Sequence, residues 1–238
     1  LVIDVRDVEA ADMEALCSEW EAYMSRHDQK RMFTATSCAV TVDHTKMKCK
    51  LGEGSGAGSK WLVYIDEQRS AAPSSSYGAP DPSSIKVDAQ LSTRGGGSFT
   101  LTGSNFGTAE SLQFVKYGPT GMEFDATSAC TVPAPGHTSV ECKTVAGFGA
   151  NLKVTMKVGP NVTDTSFGQV SAVSASLALS YAPPTISSVT PCAVPLNCPV
   201  LTGPTAGASS MTINGTNFGP QGTVQIQMFG QQFPVRSH

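Results

Sequence analysis

The chain has little charge, no basic excess and no long apolar run. Only 15% of its 238 residues are charged, and 16 Lys and Arg face 19 Asp and Glu, for a net charge of −3 at pH 7. A chain without a basic excess lacks the electrostatic footprint of a nucleic-acid-binding protein. No apolar stretch reaches the roughly 18 residues that a membrane-spanning helix needs. We therefore expect no nucleic-acid partner and no membrane span in this chain.

The chain also lacks a recognisable catalytic or metal-binding motif. The stretch from Gly54 to Lys60 has the glycines of a phosphate loop, but Trp61 stands where that motif needs Ser or Thr, so we expect a hairpin turn. His44 and His137 occupy equivalent turns, and no motif marks a nucleophile beside them. The acidic residues lack the spacing of a calcium loop. We therefore expect no enzyme activity, no cofactor and no metal.

What the chain does contain is a repeated five-residue turn motif. Gly103-Ser104-Asn105-Phe106-Gly107 returns 112 positions later as Gly215-Thr216-Asn217-Phe218-Gly219, and each copy follows an alternating segment. Gly and Asn tolerate positive φ, and Phe supplies apolar area that anchors the turn. The motif therefore predicts two equivalent units in which a strand stops and turns. Its key residues are Gly103, Asn105, Phe106 and Gly107 in one copy and Gly215, Asn217, Phe218 and Gly219 in the other.

A second repeat contains two of three close cysteine pairs. The segment from His44 to Cys49 matches the segment from His137 to Cys142 at an offset of 93 residues. Cysteine spacings of 11, 12 and 6 lack the pattern of a zinc site, so the pairs favour disulfides and an oxidising compartment. Cys17 remains, either as a buried thiol or bonded to another chain. The expected disulfide cysteines are Cys38, Cys49, Cys130, Cys142, Cys192 and Cys198.

Both repeats together resemble the IPT/TIG family, the immunoglobulin-like module of plexins, fibrocystin-like proteins and many protist surface proteins. That family has a Pro-rich entry, then an alternating strand that ends in Gly-Thr-Asn-Phe-Gly. Residues 182–191 match such an entry, and residues 79–85 match it more loosely. The cysteine repeat resembles the second half of the module. The resemblance covers about residues 33–230 and implies an all-β fold of tandem immunoglobulin-like β-sandwich modules.

The resemblance also implies a division of the chain into parts. Residues 1–72 correspond to the back half of a module, residues 73–81 to a linker, residues 82–182 to a complete module and residues 183–238 to a front half. Residues 1–30 depart from the family. Within them, the apolar periodicity of residues 8–30 and their lack of Gly and Pro predict one short N-terminal helix. A half module would expose an apolar face and open strand edges.

The two half modules have two possible explanations. Both describe a non-catalytic protein that is extracellular or at the cell surface. Either the chain is a segment of a longer repeat protein, or one molecule's front half completes the next molecule's back half by strand addition. The second explanation implies self-association into a head-to-tail fibre, such as a flagellar hair or cell-coat filament. The alternative function is a ligand-binding receptor ectodomain fragment of plexin or fibrocystin-like type. The candidate partners are thus further copies of the chain, other surface proteins and glycans.

Two sequons are candidate sites for N-linked glycans. They begin at Asn161 and Asn214. Asn161 lies in a polar turn rich in Gly and Pro and is the better candidate. Asn214 directly precedes the second turn motif, where it also suits a structural role.

Overall fold

The computed structural model describes residues 35–61, 63–65, 68–71, 73–162, 165–174, 176–190, 211–222, 224–228 and 231–234. In these residues the regular structure is antiparallel β-strand, apart from two 3₁₀ turns at Ala109–Ser111 and Thr127–Ala129. The all-β class predicted from the sequence is therefore confirmed for this part of the chain. The predicted N-terminal helix lies outside the described residues.

The strands fall into three groups along the chain. The first group is β1 (Thr36–Val42), β2 (Lys46–Lys50), β3 (Ser59–Lys60), β4 (Tyr64–Ile65), β5 (Gln68–Arg69) and β6 (Ser74–Ser75). The central group is β7 (Asp81–Val87), β8 (Ser98–Ser104), β9 (Leu112–Gly118), β10 (Phe124–Asp125), β11 (Cys130–Thr131), β12 (Ser139–Lys143), β13 (Leu152–Val158), β14 (Gln169–Val170) and β15 (Ala178–Leu179). The last group is β16 (Thr185–Thr190), β17 (Thr212–Thr216), β18 (Gln225–Met228) and β19 (Gln231–Pro234).

The central strands form two antiparallel sheets around one core. One sheet has the order β11-β12-β8-β7, and the other has the order β10-β9-β13-β14, with β15 also paired to β13. Alternate residues of β8 and β12 point inward, as strand geometry requires when one face is buried. The core takes side chains from both sheets and from the segments next to their strands, namely Leu91, Phe99, Leu101, Phe106, Leu112, Val115, Tyr117, Ala126, Val140, Cys142, Leu152, Val154, Met156, Val158, Leu179 and Tyr181.

A ring of hydrogen bonds joins two tyrosines inside this core. The Tyr181 hydroxyl donates to the Val145 carbonyl at 2.6 Å, and the Val145 N–H donates to the Tyr117 hydroxyl at 3.0 Å. Because Tyr181 has used its proton, the 2.6 Å contact between the two hydroxyls is donated by Tyr117. Burial raises the pKa of both tyrosines above its ordinary value, so both stay protonated at neutral pH.

The strands on either side of the central group form separate two-stranded sheets. In the first group β1 pairs with β2, β3 with β6 and β4 with β5. In the last group β16 pairs with β17, and β18 pairs with β19. Each of these pairs is antiparallel. We call them the flanking hairpin sheets.

Candidate functional site

The two copies of the turn motif adopt the same backbone conformation. Asn105 and Asn217 have φ of 62° and 58°, and Gly107 and Gly219 have φ of 68° and 78°. The Asn105 side-chain amide donates to the Ala79 carbonyl at 3.0 Å. The Asn217 amide donates to the Pro183 carbonyl at 3.4 Å. Each motif is therefore hydrogen-bonded to the residues just before the neighbouring strand, which is β7 for the first copy and β16 for the second.

The first glycine of the motif is required by close packing. A Cβ on Gly103 would meet the Asp81 carbonyl and the Phe106 ring. A Cβ on Gly215 would meet the equivalent groups, the Thr185 carbonyl and the Phe218 ring. These positions admit no side chain because the neighbouring strand and the anchoring Phe occupy the space.

The cysteine repeat also forms two equivalent hairpins. Disulfides join Cys38 to Cys49 across β1 and β2 and Cys130 to Cys142 across β11 and β12, with a Cα to Cα distance of 4.0 Å in each. The turn histidines have φ of 64° at position 44 and 68° at position 137. Two of the three expected disulfides are therefore present. Cys17, Cys192 and Cys198 lie outside the described residues.

Two of the flanking hairpin sheets, β1-β2 and β16-β17, correspond to the two halves of one central sheet, β11-β12-β8-β7. By the two sequence offsets, β2 is equivalent to β12, and β17 is equivalent to β8. In the central sheet β12 and β8 pair with each other and join two hairpins into four strands. Within the residues that the structure describes, β2 pairs only with β1, and β17 pairs only with β16. Among the described residues, β2 and β17 thus each have an open edge where their central equivalents are paired with each other.

Burial differs accordingly between equivalent side chains. Val140 on β12 is fully buried, whereas its equivalent on β2, Met47, is 43% exposed. Phe99 on β8 is fully buried, whereas its equivalent Met211, next to β17, is 44% exposed. The second sheet shows the same contrast, because buried side chains on β13 have exposed equivalents in the first group. These pairs are Val154 with Trp61, Met156 with Val63 and Val158 with Ile65.

The glycine-rich segment after β2 is a joint to the central sheets. It connects β2 to β3, which lie in different sheets, so it is not the hairpin turn that the sequence predicts. Ser55 is 3% exposed and its hydroxyl donates to the Gly159 carbonyl at 2.7 Å. A Cβ on Gly56, whose φ is 95°, would meet Pro160 and Phe167. These glycines allow the segment to approach the central backbone closely.

The joint also includes a side-chain contact of His137 with Glu53 and two hydrogen bonds made by the Tyr77 backbone. His137 Nε2 lies 2.7 Å from Glu53 Oε1, with both side chains partly or largely exposed. The Tyr77 N–H donates to the Gly56 carbonyl at 3.0 Å, and the Gln169 amide donates to the Tyr77 carbonyl at 3.1 Å. His137 therefore takes part in a structural contact that the sequence could not place, because its partner is 84 residues away.

The two sequons lie in different surroundings. Asn161 follows β13, and its backbone carbonyl accepts a hydrogen bond from the Gln113 amide at 2.8 Å. Asn214 lies within β17, exposed, and its amide donates to the Ser188 hydroxyl at 3.0 Å. The structural role considered for Asn214 is thus a cross-strand contact with β16.

Neither a metal centre nor a membrane span is found in the part of the chain that the structure describes. No group of three or more His, Cys, Asp or Glu side chains there is arranged to hold a metal ion. No helix among these residues is long and apolar enough to cross a membrane. Comparison of the chain with family models, with characterised proteins and with solved structures finds no match. The open edges and exposed apolar residues of the flanking hairpin sheets are therefore the candidate functional site.

Proposed function

We propose that the protein is a non-catalytic, extracellular structural protein built of IPT/TIG-like modules. In this proposal residues 82–182 form one complete immunoglobulin-like β-sandwich. Its two antiparallel sheets, packed on a shared core, support that assignment, since immunoglobulin-like sandwiches have this layered arrangement in about 100 residues. The equivalent turn motifs and disulfide hairpins support a tandem repeat of the module.

The proposed role is that of a subunit or segment of a surface fibre, such as a flagellar hair or cell-coat filament. The observation that carries it is the contrast between Met47 and Val140, which occupy the same position in the repeat. A strand whose apolar side chains and edge hydrogen bonds lack a partner is a template for another strand. In the first group β1–β2 is equivalent to β11–β12, and in the last group β16–β17 is equivalent to β7–β8. A front half and a back half are therefore complementary, which gives a heterologous, head-to-tail contact.

An extracellular or cell-surface location fits the two disulfides. Disulfides persist in oxidising compartments and are rare where cellular thiols keep cysteines reduced. Glycans at Asn161 and Asn214 belong to the same proposal. Mass spectrometry of the protein isolated from its source would show their occupancy as added hexosamine at these two positions.

Light scattering and electron microscopy of the full chain test the proposed function. We expect masses that are multiples of 24.8 kDa and that grow with protein concentration, together with filaments one module wide. A single mass of one chain at every concentration would contradict the fibre. That result would instead favour the receptor ectodomain, whose partner is a different protein.

A further inference from the structure

We propose that the open edge of β2 in one chain pairs with the open edge of β17 in a second copy, in antiparallel register with Lys46 opposite Asn214 and Met47 opposite Ile213. This inference rests on the proposed function and specifies its interface. The product would be a four-stranded sheet in the order β1-β2-β17-β16, with the middle pair formed between two molecules. It has the same order as the central sheet β11-β12-β8-β7.

The register comes from the central pair of strands. In the β12–β8 pairing Ser139 lies opposite Thr102 and Val140 lies opposite Leu101. Subtracting the offset of 93 residues from the first member of each pair gives Lys46 and Met47 on β2. Adding the offset of 112 residues to the second member of each pair gives Asn214 and Ile213 on β17. No other choice of register is needed, because the cysteine repeat fixes the first offset and the turn motif fixes the second.

The side chains agree with this register. Met47 is exposed and Ile213 is half-buried, and the proposed pairing places both on the inner face, where Val140 and Leu101 are fully buried. A shift by one residue would move every apolar side chain of one strand to the outer face. The pairing therefore removes from water the apolar surface that the isolated hairpins leave exposed, and this is the driving force for association.

The outward side chains select a β17 edge over a second β2 edge. Lys46, Lys48 and Lys50 all stand on the outer face of β2 and are exposed. Two β2 edges would bring lysines across from lysines, and like charges in such positions are destabilising. The outer face of β17 carries Thr212 and Asn214, which are neutral. Lysine on the edge strand thus disfavours a symmetric dimer and leaves the head-to-tail contact.

The backbone identifies a position suited to a cross-link. In the central sheet the Gly103 N–H donates to the Thr138 carbonyl, and the Thr144 N–H donates to the Gly97 carbonyl. Because hydrogen-bonded pairs alternate along antiparallel strands, Thr102 and Ser139 form a non-hydrogen-bonded pair, with Cα atoms about 4.5 Å apart. A disulfide spans such a separation. Lys46 and Asn214, their equivalents, are therefore expected to be cross-linkable between copies.

The test uses two single variants, Lys46→Cys and Asn214→Cys, each made in a Cys17→Ser background and mixed before mild oxidation. Each variant contributes one new thiol, so a disulfide between the two new cysteines can form only between molecules. The matched control replaces Asn214→Cys by Thr212→Cys, which lies two residues away on the same face of β17. Peptide mass spectrometry quantifies each cross-linked product, and light scattering before oxidation shows that the variants assemble.

We expect roughly fivefold or more cross-linking for the pair at positions 46 and 214 than for the control, because a diagonal pair exceeds disulfide distance. Assemblies in which the control pair or two copies of position 214 dominate, or in which neither pair cross-links, would overturn the register and leave the fibre standing. A wild-type chain that stays monomeric at every concentration would overturn both.

A second variant tests the edge without a cross-link. Leu101 forms a hydrogen-bonded pair with Val140, so the equivalent N–H of Ile213 faces the open edge and not β16. Ile213→Pro removes this donor, whereas Ile213→Ala keeps it and shortens the side chain. We expect Ile213→Pro to abolish assembly at concentrations where Ile213→Ala still assembles. Equal assembly of both variants would show that β17 pairs elsewhere.

Discussion

The central sheets and the flanking hairpin sheets are built from the same sequence pattern, yet they differ in burial. The β1-β2 hairpin has the same disulfide and histidine turn as β11-β12, and the turn after β17 has the same conformation as the turn after β8. In the centre the apolar residues are enclosed by a second half, and in the flanks their equivalents face solvent. Local sequence is therefore enough to form a hairpin, whereas burial depends on the other strands that pack against it.

A substitution that leaves a cavity in the central core should give the largest difference in stability between the two regions. Phe99→Ala removes a fully buried ring, and we expect it to lower the free energy of unfolding by about 3–5 kcal/mol. Met211→Ala at the equivalent flanking position should lower it by less than about 1 kcal/mol in the monomer, because that side chain is already 44% exposed. Urea denaturation at low protein concentration measures both. Similar losses for the two variants would mean that the flank is as well packed as the centre.

Removal of the two disulfides should give the next largest difference between the two regions. Replacing both Cys130 and Cys142 by Ala should destabilise the central sheets by about 3 kcal/mol, since the bond closes a loop of 12 residues. Replacing both Cys38 and Cys49 should leave the urea midpoint of the central sheets within error, because that bond lies in a flanking hairpin sheet. The second double variant should instead reduce assembly. A drop in the central midpoint there would show that the flank stabilises the centre.

Loss of the hydrogen bonds between Tyr117, Tyr181 and Val145 should have a smaller effect on stability, and this effect is confined to the central sheets. Tyr117→Phe leaves the Val145 N–H without its acceptor, and we expect a loss of about 1–3 kcal/mol. Tyr181→Phe should cost less, because the Tyr117 hydroxyl lies 3.4 Å from the Val145 carbonyl and can donate to it instead. Thermal unfolding of the two variants gives the order. A larger loss of stability for Tyr181→Phe would mean that the hydrogen bond between the two hydroxyls is donated by Tyr181 and not by Tyr117.

The smallest effect concerns the pH dependence of one central turn. Hydrogen bonds from the Thr120 hydroxyl and nearby backbone N–H groups lower the pKa of Glu123 from 4.5 to about 2. A depressed pKa contributes stability that is present above 4.5 and is lost as pH falls through about 2. Glu123→Gln should therefore lower Tm by about 1–2 °C at pH 7, and the gap should narrow towards pH 2. A gap that stays constant with pH would exclude the carboxylate as its cause. At the offset of 112 residues, the position equivalent to Glu123 is Val235. The carboxylate contact is therefore a feature of the central copy and not of the last group.

The sequence predicted local features better than distant contacts. The turn motifs, the two described disulfides and the strand character could be predicted because their residues lie within about a dozen positions of one another or recur at a fixed offset. The joint could not, because Ser55 meets Gly159, 104 residues away, and a glycine-rich segment alone suits either a hairpin or a close approach. The tyrosine ring was missed for the same reason, since Tyr117 and Tyr181 are 64 residues apart.

The disulfides have a mechanical consequence for a chain that is pulled from its ends. The bonds at Cys38–Cys49 and Cys130–Cys142 span 11 and 12 residues, and each holds its ends at a Cα distance of 4.0 Å. An extended chain gains about 3.5 Å per residue, so each bond withholds roughly 35 Å of contour length from stretching. Tension would therefore pass from one hairpin base to the next through a covalent shortcut, while the turn that contains each histidine carries no load.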